Sequence, residues 1–482
     1  MSSVRTLKRT KVVITLGPAT DDPQIMEALI LAGANVARVN FSHGTTEDQV
    51  RRVNLVRETA ARVGRSVGIL GDLSGPKIRI DQFVDGFVDL IPGALFTIDV
   101  SLAPSAGTSH SVGCSYRPLA TDVEPGAVLL LNDGLIVLEV IRVEGPRVVT
   151  QVITGGKLSN NKGLNRRGGG LSAGALTDKD RLDIPLAARL AVDYLAVSFP
   201  RSGADIAEAR ALMSAAGGHA RLMAKIERTE AITHLESIVS ASDAVMVARG
   251  DLGIEVGDAA LMGLQKQIIA SARRHNKVVV TATQMMESMI NNPSPTRAEV
   301  SDVANAVFDG TDAVMLSAES AVGKYPVKAV QAMSDIILGA ERYQLSQSAA
   351  FRRQAAMHKF HATDEAIAMA VMYTANHLDV KAIVALTESG STPLWMSRIR
   401  SDIPIFAFTR NEATQGRVAL FRGVYPVLFD IAGSSDVLHP AIFRKLIELD
   451  LASIGDQIIV TNGEFSGVSG GTNSMKILTI AA

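Results

Sequence analysis

One cysteine in 482 residues, Cys114, cannot close an internal disulfide, and a reducing cytoplasm is therefore the expected compartment. Cys114 itself reads as a small buried hydrophobe. A surplus of one charge sign is also missing, with 48 basic side chains against 49 acidic ones. That balance disfavours a sequence-independent nucleic-acid binder, which needs extra cations to displace counterions. No apolar run reaches the roughly 18 residues that cross a bilayer, so no membrane partner is expected. The first ten residues are basic, but Val12 to Leu16 behind them is too short for a signal-peptide core. Long polar tracts are absent, and with 47% hydrophobic residues the chain is not expected to be disordered. What is present suffices for about three domains of roughly 150 residues, each with a core.

Eight short apolar runs recur outside one interruption: Val12 to Leu16, Asn35 to Asn40, Ser66 to Asp72, Tyr194 to Phe199, Arg221 to Glu227, Ala244 to Asp251, Lys277 to Thr283 and Ala313 to Glu319. They are rich in Val, Ile and Ala without polar alternation, as strands of a parallel sheet covered on both faces are. Helix-like segments separate most of them. The clearest begins at the capping box Thr296-Arg297-Ala298-Glu299, with Val300, Val303, Ala304 and Val307 following at helical spacing. Eight strand-helix units with polar residues at the strand ends predict a (β/α)8 barrel, whose chemistry lies on that face. A doubly wound sheet is the alternative.

The interruption, from about Gly75 to Gly170, has short strand candidates at Phe87 to Ile91, Leu95 to Val100, Ala127 to Leu131, Leu135 to Val143 and Val148 to Ile153, with Gly-containing turns between them. It predicts a small β domain inserted after the third barrel strand, with Gly168-Gly169-Gly170 as a hinge on the return. Without it the remainder is roughly 245 residues, near the usual barrel size of about 250. Beyond residue 341 a polar connection to about Lys359 is expected to contain some helix. Strand candidates at Lys381 to Leu386, Ile405 to Thr409, Val424 to Phe429, Gln457 to Thr461 and Lys476 to Ile480 then alternate with helices such as Glu365 to His377. These predict a second α/β domain.

The chemistry gathers at the ends of the barrel strands. Side chains alternate along a strand, so Lys225 and Glu227 share one face while Ile226 turns away. The sixth strand brings Arg249, Gly250 and Asp251 beside them. Glu227 and Asp251 suit a divalent cation that takes its other ligands from substrate oxygens and water, and magnesium with phosphate fits so sparse a set. Successive amides near Gly250 suit a substrate carboxylate. Arg38 on the second strand and Arg79 after the third offer planar forks for phosphate oxygens. Thr281 and Thr283 end the seventh strand, and Ser317 and Glu319 end the eighth.

Four motifs together resemble the pyruvate kinase family: Arg38-Val39-Asn40-Phe41-Ser42-His43-Gly44, Met223-Ala224-Lys225-Ile226-Glu227, Ala248-Arg249-Gly250-Asp251-Leu252-Gly253, and Thr281-Ala282-Thr283-Gln284-Met285-Met286-Glu287-Ser288-Met289. The resemblance spans nearly the whole chain. It implies a TIM barrel formed by residues 1–75 and 171–340, an inserted β-barrel lid over 76–170, and a C-terminal α/β allosteric domain over 341–482. It implies transfer of a phosphoryl group from phosphoenolpyruvate to ADP, giving pyruvate and ATP, in a cytoplasmic homotetramer. Glu227 and Asp251 would hold magnesium, with manganese the alternative ion. Backbone amides of Arg249 to Asp251 would receive the substrate carboxylate, and Arg38, Arg79 and Lys225 would surround the transferring group. Asn40, His43 and Lys162 would lie near the nucleotide, and Thr283 on the proton relay to the enolate.

One departure is informative. Family members that require a monovalent cation typically read Asp-Thr-Lys-Gly-Pro-Glu, where this chain has Asp72-Leu73-Ser74-Gly75-Pro76-Lys77. In the region of Asn40, Ser42, Asp72, Leu73 and Lys77, the Lys77 ammonium would stand in for potassium. The chain thus resembles the potassium-independent, type II-like subgroup.

In the C-terminal domain, Thr387-Glu388-Ser389-Gly390-Ser391-Thr392 follows a strand directly, and Thr387, Ser389, Gly390, Ser391 and Thr392 suit one phosphate. The facing loop, residues 464–472, has no Lys or Arg, and Glu388 is acidic. Similar loops in the pyruvate kinase family bind the phosphate of an allosteric activator, and by that resemblance a sugar or nucleotide monophosphate is expected here in place of fructose 1,6-bisphosphate. Two other functions compete. A Schiff-base lyase would use Lys225 with a lowered pKa, which neighbouring carboxylates oppose, and a metabolite sensor would use the phosphate cradle alone.

Overall fold

The computed structural model describes residues 7–346, 360–430, 435–463 and 470–481. Eight parallel strands close into a barrel: Lys11–Thr15, Val36–Asn40, Gly68–Asp72, Tyr194–Val197, Arg221–Ile226, Ala244–Ala248, Val278–Ala282 and Ala313–Leu316. Seven of the eight expected runs contain one, and the first strand overlaps its run, Val12 to Leu16, shifted by one residue. Several are buried at every position, as their unbroken apolar sequence requires. The first strand pairs with both the second and the eighth. The third pairs with the fourth despite the chain inserted between them. The helix after the seventh strand, Arg297–Asp309, has the expected Thr296–Glu299 capping box. Its buried stripe is Val303, Ala306 and Val307, whereas Val300 is 37% exposed. The layer between this helix and the barrel strands packs against Val303, Ala306 and Val307, and Val300, in the first turn, falls outside it.

The insertion forms a six-stranded sheet in the order Leu164–Arg166, Val128–Leu131, Ile136–Glu144, Arg147–Thr154, Leu95–Asp99, Ser111–Val112, with a ribbon of Phe87–Leu90 and Gly156–Ser159 beside it. Its core holds Phe96, Ile98, Leu129, Leu138 and the expected buried Cys114, whose thiol burial pushes up to about 11. Gly168, Gly169 and Gly170 all have φ between +78° and +94°, a run that only glycine takes without strain. The return is held to the barrel: Gly170 N donates to Glu230 Oε1 at 2.5 Å, and Arg228 donates to the carbonyls of Leu171 and Ala173 at 2.5 and 3.2 Å.

The C-terminal sheet runs Val424–Leu428, Ile405–Thr409, Ala382–Leu386, Gln457–Gly463, Thr472–Thr479, the last strand antiparallel to the rest. A helix at Thr363–Ala375 matches the expected one. The connection expected before it lies, over 347–359, outside the described residues. This domain seats on the barrel floor. An apolar cluster runs from Val13, Leu70 and Met223 inside the barrel to Val418, Leu420 and Phe421. Asp312, at the lower end of the eighth strand, pairs with both terminal nitrogens of Arg398 and accepts from Val279 N at 2.9 Å and Arg422 N at 3.2 Å. Among the described residues, no helix is long and apolar enough to cross a membrane.

Candidate active site

The strand ends gather a chain of alternating charge. Lys225 Nζ lies 2.9 Å from Glu227 Oε1 and 3.3 Å from Asp72 Oδ1, and it donates to Ser198 Oγ at 2.7 Å. Arg38 Nε donates to the other oxygen of Asp72 at 2.6 Å, and its Nη1 to Thr15 Oγ1 at 3.1 Å. Five barrel strands therefore fix two cations relative to each other. Burial opposes the charge on Lys225, but the carboxylates of Asp72 and Glu227 outweigh it and hold the ammonium above its ordinary pKa. An ammonium held on is not the free amine a Schiff base needs. Asp72 is fully buried and would be pushed up by desolvation, yet Lys225 and Arg38 keep it below the usual carboxylate range.

Glu227 differs. Burial raises it, and the nearby Asp251 carboxylate adds to the rise, against the pull of Lys225. Two neighbouring carboxylates form a hard oxygen pair suited to a divalent cation. Among the described residues no three His, Cys, Asp or Glu side chains gather as a ligand set. A magnesium ion at Glu227 and Asp251 would thus draw on substrate and water, and the donor chemistry fits it. Phe199 N donates to Glu227 Oε2 at 3.0 Å and fixes that carboxylate. Asp251 Oδ1 accepts from Lys77 Nζ at 3.0 Å.

The turn after the seventh strand is strained. Thr283 and Gln284 have φ of +66° and +54°, a region that a β-branched residue rarely adopts. Arg249 holds them there. Its buried guanidinium donates to Thr283 O at 3.1 and 2.8 Å and to Gln284 O at 3.0 Å, anchored by Asp302 at 2.7 Å. The side chain of Arg249, first residue of the helix Arg249–Val256, is thus spent on the turn. Gly250 N donates to Thr283 Oγ1 at 2.8 Å, so the hydroxyl sits at the first turn of that helix.

Arg79 lies at the base of the insertion, bridged antiparallel to Gly163, with its Nη1 donating to Asn161 O at 2.9 Å. Lys162 sits in the same bridge, where its carbonyl accepts from Ile80 N. His43 is held below its ordinary pKa by burial and by the charges of Arg38 and Arg79. Asn40 pairs in register with Asp72, and its side chain accepts from Ser42 N at 3.1 Å. Leu73 is core, 1% exposed, and brings no side-chain oxygen to a cation. Ser317 and Glu319 play a structural part: the Glu319 carboxylate accepts from Met286 N and Ser317 N, joining the last two strand ends. The sequence reading missed Ser198 and Thr15, the hydroxyls beside Lys225 and Arg38. Their position at strand ends was the available signal.

The loop from Thr387 to Thr392 stands apart, in the C-terminal domain. Gly390 N donates to Thr387 Oγ1 at 2.9 Å, Ser391 Oγ to Asp364 at 2.7 Å, and Thr392 Oγ1 lies 2.7 Å from Thr472 Oγ1. Ser389 belongs to the same loop. Glu388 turns away to Arg410 at 3.0 Å and to Asn411 at 2.9 Å. Of the facing loop, 464–469 lie outside the described residues.

A family model described as "Pyruvate kinase, barrel domain" matches residues 7–330, and one described as "Pyruvate kinase, alpha/beta domain" matches 365–478. The chain belongs to the pyruvate kinase family. Among its relatives in that family, Pyruvate kinase II of Salmonella typhimurium is 52% identical over 99% of each chain. A pyruvate kinase of Haemophilus influenzae is 51% identical over 95% of this chain and 96% of that one. One of Geobacillus stearothermophilus is 41% identical over 98% of this chain and 81% of its own length.

Proposed function

We propose that this protein transfers the phosphoryl group of phosphoenolpyruvate to ADP, yielding pyruvate and ATP. The observation that carries this reading is Lys225, buried and charged between Glu227 and Asp72 with Arg38 on the far oxygen of Asp72. Phosphoryl transfer asks mainly for positioning and for charge placed where charge develops. The terminal phosphate oxygen of ADP forms the new P–O bond, the bond to the enol oxygen breaks, and the released enolate takes a proton at its methylene carbon. Arg38, Arg79 and Lys225 neutralise the oxygens in flight, and Lys225 remains beside the growing enolate charge. Thr283, oriented by Gly250 N, serves the protonation. Of the amides of Arg249 to Asp251, those beside Gly250, whose own N–H is given to Thr283, orient the carboxylate, and Asn40, His43 and Lys162 line the nucleotide side. Magnesium at Glu227 and Asp251 would supply Lewis-acid charge to the substrate oxygens; manganese can serve the same ligands.

The same reading includes a barrel over 1–75 and 171–340, a mobile lid over 76–170 and an allosteric domain over 341–482. It includes a cytoplasmic homotetramer, independence from potassium with Lys77 as the fixed cation, and activation by a sugar or nucleotide monophosphate at Thr387 to Thr392. Burial of Leu73 and the absence of Lys and Arg from the facing loop support the last two. The test is a steady-state assay with phosphoenolpyruvate and ADP, with and without potassium, across a panel of monophosphates and fructose 1,6-bisphosphate. Absence of pyruvate formation would remove the central claim. Strong potassium activation or tight bisphosphate binding would remove the subsidiary ones.

A further inference from the structure

Each carboxylate assigned to the metal is held by a lysine. Lys225 holds Glu227 at 2.9 Å, and Lys77 holds Asp251 at 3.0 Å. The two lysines are mounted differently. Lys225 sits inside a barrel strand and keeps Asp72 and Ser198 as partners whatever happens at Glu227. Lys77 sits on the connection that leaves the third strand for the lid, with its side chain 34% exposed.

The base of the lid begins at the next residue. Leu164 N donates to Ile78 O and Ile80 N to Lys162 O, each at 3.0 Å, with Arg79 and Gly163 bridged between them. The Lys77–Asp251 pair therefore ties the lid base to the end of the sixth barrel strand. If the oxygen that Lys77 holds, Asp251 Oδ1, is the one that takes the divalent cation at about 2.1 Å, it cannot also keep the ammonium in hydrogen-bond range without pressing two positive charges together.

We propose that Lys77 is a displaceable counter-ion: it holds Asp251 before metal arrives and is expelled by it, freeing the lid base from the sixth strand. This rests on Asp251 being a metal ligand. Metal entry and lid release are then one equilibrium, and each shifts the other by the same factor. The ammonium so released is the one that the potassium-independent reading requires in the cleft.

The test is manganese binding to the full chain without substrates, followed by the electron paramagnetic resonance of free Mn2+. Lys77→Met should bind Mn2+ about two- to fivefold more tightly, the range that a half-exposed ion pair supports, while Lys77→Arg stays near wild type. Asp251→Asn should bind it more than about tenfold more weakly. Hydrogen exchange gives the second readout. Mn2+ should speed exchange at the Ile80 and Leu164 amides of the wild type, and in Lys77→Met these should exchange fast already. Unchanged or weaker Mn2+ binding in Lys77→Met, beside weakened binding in Asp251→Asn, overturns the displacement alone. Wild-type binding in Asp251→Asn overturns the ligand assignment and the displacement with it.

Discussion

Replacing Lys225 with Met keeps the side chain unbranched and only one atom shorter, and removes its charge. Three contacts go with it, to Glu227 at 2.9 Å, Asp72 at 3.3 Å and Ser198 at 2.7 Å. Breaking a buried pair by deleting one partner costs about 3–5 kcal/mol. Two features place this variant at the lower end. Asp72 retains Arg38 at 2.6 Å, and Glu227, already raised by burial, takes up a proton once the ammonium is gone. About 3 kcal/mol lies within the margin of a chain of this size, so the protein should fold. Activity should suffer more. One preorganised group facing developing charge is worth about 2.7–4 kcal/mol, or about 100- to 1000-fold in turnover, and a full ammonium in a dry site belongs at the top of that range. Pyruvate release coupled to NADH oxidation measures kcat, and circular dichroism with a thermal melt verifies the fold. A folded variant turning over within tenfold of wild type would refute the reasoning.

Three other outcomes follow from named contacts. Thr283→Ala should slow incorporation of solvent deuterium into pyruvate more than it slows ATP formation; equal slowing of both would separate Thr283 from the proton relay. Asp193, whose Oδ2 accepts from Ile69 N at 2.7 Å, is raised by burial from 3.8 to about 6. A folded pKa above the unfolded one means that the proton's contribution is complete below about pH 4 and lost as pH rises through about 6. Wild type should therefore lose about 3 kcal/mol over that interval relative to Asp193→Asn, read from urea midpoints; parallel profiles would contradict it. Arg398→Met strips the bidentate partner from buried Asp312 and should lower stability by about 3 kcal/mol or more by scanning calorimetry.

What the sequence announced and what it concealed divide along physical lines. The barrel strands were legible because a strand covered on both faces must be apolar throughout, and Val278–Ala282 and Ala244–Ala248 are. The lid strands Ser111–Val112, Gly156–Ser159 and Leu164–Arg166 were not, being two to four residues long, with too little pattern to read. Lys225 and Glu227 were legible because alternation along one strand fixes their common face. Asp72 was noted only for its place near the expected potassium region, and its bridging of Lys225 and Arg38 depends on the closure of three strands. The contact of Lys77 with Asp251 spans 174 residues and depends on where the lid connection lands. The left-handed turn at Thr283 and Gln284 runs against what a β-branched residue predicts, and the guanidinium of Arg249 overrides that preference.

The third and fourth barrel strands are neighbours in space, yet one ends at Asp72 and the other begins at Tyr194. A ribosome adding about 5–20 residues per second needs on the order of ten seconds to deliver the second of them after the first. Throughout that interval Gly68–Asp72 is the open rim of a three-stranded fragment, with amides and carbonyls that any passing strand can pair with. Swift assembly of the intervening sheet shortens the exposure by bringing its two ends together. With its two ends bridged at Arg79 and Gly163, a folded insertion would hold the emerging fourth strand near the waiting third.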